Sequence, residues 1–73
     1  MAEKEPVQIY GKEGCGYTSA ARRDYQARGF PVEYFDVKAD AAAMARFLDL
    51  SGGERRVPLI VDRGRVTVGF GGT

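Results

Sequence analysis

The sequence predicts an α/β domain in which two helices cover one mixed, four-stranded sheet, and three observations predict it. Up to Leu50, short β-prone runs alternate with longer stretches of helix formers, the pattern of strand–helix–strand units. Beyond Gly53 the pattern changes to two short runs joined by a glycine turn, which reads as a hairpin. The sole cysteine, Cys15, stands between two glycines at the first strand-to-helix turn.

Taken in order, Met1 to Pro6 reads as a loose leader. Val7–Tyr10 is a short β-prone run closed by Gly11. A first helix is expected from about Gly16 or Thr18 to Arg28, with Tyr17, Ala20, Ala21 and Tyr25 on one face and Arg22, Arg23, Gln26 and Arg28 largely on the other. Gly29 and Pro31 stop it. Val32–Val37 is a second strand, and a strand–helix–strand unit of this length implies a parallel pair with a right-handed crossover. Asp40 can cap a second helix over Ala41–Leu50, where Met44, Phe47 and Leu48 form an apolar stripe and Ser51-Gly52-Gly53 ends it. The linking Glu54-Arg55-Arg56 reads as a solvated stretch, the alternative being an arginine beside the active site that binds a carboxylate. Leu59–Val61 suits a buried strand, Asp62-Arg63-Gly64 a turn, and Arg65–Val68 a returning strand.

With 73 residues the chain is one domain, small enough that nearly every apolar side chain must join the core. Its 44% apolar and 29% charged residues exclude a disordered composition. The 11 basic and 10 acidic residues are interspersed and leave a net charge of +1, so nucleic acid, a membrane surface or a polyanionic substrate is not indicated as the main partner. The acidic, polar start is unlike a secretory signal, and the expectation is a soluble, cytoplasmic monomer. One cysteine and no histidine exclude an internal disulfide, a two-cysteine redox cycle, a Cys–His pair and histidine metal sites.

That leaves Cys15 as the chemical feature. At a helix start the unpaired N–H groups and the helix dipole favour an anion, and Lys12 adds a cation within reach. An ordinary cysteine, with a pKa of about 8.5, is only slightly ionised at neutral pH. Each unit of lowering takes about 1.4 kcal/mol of preferential interaction with the thiolate. Gly14 and Gly16 leave the sulfur open to a partner, so Cys15 is a candidate nucleophile.

Lys12-x-x-Cys15-x-Tyr17 after a short first strand resembles the active-site turn of glutaredoxins. Their common form has a second cysteine where this chain has Thr18, and Cys15-Gly16-Tyr17-Thr18 is similar to the single-cysteine branch with Cys-Gly-Phe-Ser. In the thioredoxin-like fold that glutaredoxins share, Val57-Pro58 resembles the cis-proline element facing the thiol, although Arg56 stands where threonine usually precedes it. Gly69-Phe70-Gly71 resembles the glycine-rich segment that binds the γ-glutamyl end of glutathione, with Phe70 in place of the second glycine and no aspartates following. Glycines there also let backbone N–H groups approach an anion. The usual C-terminal helix is absent. Some small bacterial proteins of this kind carry selenocysteine at the nucleophile position.

The resemblance implies a glutathione-dependent thiol–disulfide oxidoreductase acting in cell redox homeostasis and electron transport. Cys15 would attack a glutathione mixed disulfide, and a second glutathione would resolve it, because the chain has no second thiol. Lys12, Gly16, Tyr17, Val57, Pro58, Gly69, Phe70 and Gly71 are the implied binding residues, with glutathione as co-substrate and glutathionylated or disulfide-containing proteins as partners. Two alternatives remain open. One is an iron–sulfur carrier holding [2Fe-2S] between two chains and two glutathiones; the other is a redoxin reduced by thioredoxin reductase.

Overall fold

Alternate residues of the first strand face opposite ways, and each finds a different helix. In the computed structural model, which describes residues 4–73, the order is β1 (Val7–Gly11), α1 (Gly16–Ala27), β2 (Val32–Asp36), α2 (Ala41–Ser51), β3 (Leu59–Asp62) and β4 (Arg65–Val68). The strands lie as β2-β1-β3-β4, with β1 parallel to β2 and antiparallel to β3, and β4 antiparallel to β3. Val7, Ile9 and Ile60 form one half of the core with Ala21 of α1. Tyr10 and Leu59 form the other half with Val37, Phe47 and Val57. Helices therefore cover opposite faces, as the sequence predicts for a two-sided sheet.

The elements fall within one residue of their expected bounds except at frayed ends. Asp40 caps α2 by accepting from the N–H groups of Ala42 (2.9 Å) and Ala43 (3.4 Å). Gly52 ends that helix in the left-handed conformation, φ 69°, and the Gly53 N–H returns to the Leu48 carbonyl at 2.8 Å. Of the leader, Met1–Glu3 lie outside the described residues. Lys4 reaches the Arg28 carbonyl and lies over the Phe30 ring at 4.6 Å.

One face differs from expectation. Tyr17 is 45% exposed, and Thr18 takes the inward position, 1% exposed. The reason lies across the layer at Gly11, which has no side chain to hold α1 away. Past β4 the chain turns back on itself instead of entering a helix: Gly69 N–H donates to the Pro58 carbonyl at 2.7 Å and Phe70 N–H to the Gly72 carbonyl at 3.0 Å. Phe70 enters the α1-side core beside Tyr25, ring centroids 6.4 Å apart.

Candidate active site

The turn after β1 delivers Cys15 to the N-cap of α1, with extended backbone (φ −90°, ψ 115°). Its carbonyl accepts from the Ser19 N–H at 3.1 Å, the first bond of the helix, while its side chain leans on the α2-side core. The first N–H groups of the helix are thus left facing the sulfur. Gly14, at φ 82°, supplies the left-handed step that brings the chain into the helix.

Cys15 titrates below its ordinary value, and the Thr18 hydroxyl contributes most to the lowering. Partial burial opposes it; the backbone N–H groups of Thr18 and Tyr17 add to it, and Lys12 contributes least. Helix terminus and lysine both act in the expected direction, and the Thr18 hydroxyl adds a larger contribution that was not expected. Capping geometry supplies the reason, because the third helical residue reaches back toward the N-cap. The neutral thiol makes no side-chain cap hydrogen bond, and Thr18 Oγ1 is buried without a partner of hydrogen-bond geometry. A thiolate is the acceptor these donors lack.

Around the sulfur lies an open groove of about 470 Å³ walled by Lys12, Gly14, Cys15, Gly16, Tyr17, Arg55, Arg56, Val57 and Thr73. The structure therefore gathers Cys15, Lys12, Gly16, Tyr17 and Val57 on one groove. The Val57–Pro58 bond is cis. Pairing of β3 starts at Leu59, and the backbone of Val57 takes part in none of the hydrogen bonds among the described residues. Pro58, Gly69, Phe70 and Gly71 are not on the groove wall. The N–H groups of Gly69 and Phe70 are spent within the tail, so they are not the free anion nest suggested by the glycines.

Three further residues stand on the groove. Arg55 and Arg56 are exposed, as expected, and lie beside the thiol as well, just before Val57-Pro58. Thr73 lines it too, because Gly72 packs flat on Tyr17, where a Cβ would lie 2.6 Å from the ring. Among the described residues no three His, Cys, Asp or Glu side chains gather as metal ligands. Cys15 would supply one of the roughly four thiolates of an iron–sulfur cluster, so the residues of one chain do not fit that group.

A mixed sheet in this order, with a lone thiol at the start of the first helix opposite a cis-proline, defines a thioredoxin-like protein. Solved structures of that class are similar over most of the chain. The thioredoxin-like protein BC3987 shares 30% identity and a TM-score of 0.78, over 88% of this chain and 86% of that one. A point mutant of that protein aligns equally well, over 85% of its chain. The chain belongs to the glutaredoxin family, whose model it matches over residues 7–66. A glutaredoxin, grx-1, from Archaeoglobus fulgidus has the same fold at 17% identity, with a TM-score of 0.74 over 88% of this chain and 74% of that one. No curated protein matches the sequence.

Proposed function

We propose that the chain is a single-thiol oxidoreductase that removes glutathione from mixed disulfides. The observation that carries this is the pairing, across one groove, of the lowered Cys15 thiol with the unpaired main chain of Val57. A short extended peptide can add to such an edge as an extra strand, which would hold its sulfur beside Cys15. Glutathione is a peptide of that size. Lys12 attracts its carboxylates, and Tyr17 flanks it.

In the first step the Cys15 thiolate attacks the glutathione sulfur of the mixed disulfide. A Cys15–glutathione bond forms, the original S–S bond breaks, and the protein thiolate leaves to take a proton from solvent. In the second, the thiolate of another glutathione attacks the sulfur of the bound one, releasing glutathione disulfide and restoring the Cys15 thiolate. The net change is an exchange: one glutathione thiol is consumed, one protein thiol is released, and the disulfide passes from the protein to the glutathione pair. Thr18 and the helix N–H groups favour the thiolate as attacking group in the first step and as leaving group in the second.

The test is turnover of a glutathionylated peptide by the wild type and by Cys15→Ser, with trapping of the glutathione adduct by mass spectrometry. Turnover with an adduct confined to Cys15, both lost in the variant, is expected; a fully active variant overturns the reading. Dependence on thioredoxin reductase in place of glutathione would redirect it to the redoxin alternative.

A further inference from the structure

Every formally charged side chain on the Cys15 groove other than the thiol is a cation: Lys12, Arg55 and Arg56 line it, and no aspartate or glutamate does. The chain as a whole carries only +1, so this is a local concentration of charge. Carboxylates near the site are otherwise engaged. Glu13 pairs with Arg22 at 3.7 Å, and Glu54 accepts from Arg56 Nε at 3.2 Å, which offsets part of the charge of Arg56. Among the described residues Lys12 and Arg55 pair with no carboxylate. Arg55 instead lays its guanidinium against the Met44 sulfur at 3.9 Å, on the α2 side of the groove.

A mixed disulfide presents two halves to such a groove. Glutathione carries carboxylates but also an ammonium group, and its own charge leaves part of this cationic wall unanswered. The arginines precede Val57 in the chain and so flank the end of the main-chain edge along which glutathione would lie. Resting on the function proposed above, we infer that Arg55 and Arg56 select the other half: the preferred substrates are proteins whose glutathionylated cysteine is flanked by aspartate or glutamate. Charges of this kind act chiefly by steering encounter and by disfavouring like-charged partners. Both arginines are exposed, so each contributes modestly and is screened by salt.

The experiment compares three glutathionylated peptides whose cysteine is flanked by glutamates, by serines or by lysines, at low and at high salt. Expected is a kcat/KM that falls in that order, with the acidic peptide about 3- to 10-fold above the neutral one at low salt and the gap closing at high salt. In Arg55→Ser/Arg56→Ser the acidic peptide should drop to the level of the neutral one, and Arg55→Lys/Arg56→Lys should keep the order. Equal rates for all three peptides in the wild type overturn the inference while leaving the glutathione reaction in place. So does an equal loss for all three in the serine variant, which would assign the arginines to the glutathione half. Turnover of none of them removes the proposed function itself, a distinguishable result.

Discussion

Gly11 and Thr18 meet where a side chain at position 11 would stand: a Cβ there would lie 2.3 Å from Thr18 Cγ2 and 2.6 Å from its Oγ1. The absent side chain lets α1 settle onto β1 and places a hydroxyl beneath the thiol. Gly11 therefore acts on the chemistry of Cys15 without touching it.

Gly11→Ala is expected to cost about 1–3 kcal/mol, the usual range for overpacking a filled interior. Thermal or urea unfolding measures it. Thr18→Ala in the same chain vacates the space, so the double variant should lose less than the separate losses combined. Strict additivity would show that the contact is relaxed elsewhere.

Thr18→Val keeps the shape and removes the hydroxyl. Oγ1 is buried without a partner, so its loss should leave stability unchanged or slightly raised at pH values where the thiol is protonated. The alkylation rate of Cys15 against pH should move to higher pH, since the largest contribution to the lowered thiol is gone. Thr18→Ser should move it far less. An unmoved profile in Thr18→Val would reduce Thr18 to packing.

The same lowering has a sign in stability. A thiol that ionises more readily in the folded chain adds stability that is complete above the unfolded-chain value, about 8.5, and disappears as pH falls through the lowered folded value. Unfolding free energy of the wild type should therefore rise with pH across that window relative to Cys15→Ser. Parallel curves would contradict the shift.

Gly72→Ala sets a methyl group against the Tyr17 ring, 2.6 Å from Cζ before anything moves. The tail or the ring must yield, and either alters the groove wall. Raised KM with little change in kcat is the expected signature of lost binding without lost chemistry. An equal fall in kcat would place Tyr17 closer to the reacting sulfur.

Removing the α2 cap, Asp40→Ala, should cost about 1 kcal/mol and lower Tm by about 4–8 °C for a domain of this size. The pH midpoint of Cys15 alkylation is the control, because Asp40 lies at the far end of the helix from Arg55.

Much of this was legible in the chain. Asp40 announced α2, Gly52 and Gly53 its end, and the glycines about Cys15 an open thiol at a helix start. These are local signals, carried by a few adjacent residues. Thr18 was not legible because a threonine in a helix has no preferred face of its own; it turns inward only because Gly11, on another element, lacks a side chain. Arg55 and Arg56 read as ordinary surface charge, since their bearing on the groove depends on how the chain leaves α2 and enters the cis Val57–Pro58 bond. Phe70, noted as the departure from the glycine-rich pattern, has its ring packed on the α1-side half-core, a placement that depends on Tyr25 and the sheet and not on its neighbours in the chain.

Cys15 belongs to the helix of one face but leans on the half-core of the other. A thiol-specific dye should consequently report more than redox chemistry. Any transient loosening of α2 from the sheet would uncover the sulfur from behind, so labelling speed doubles as a gauge of breathing in the opposite layer. Stabilising the packing of Phe47 or Leu48 should then slow the dye even though neither residue borders the groove.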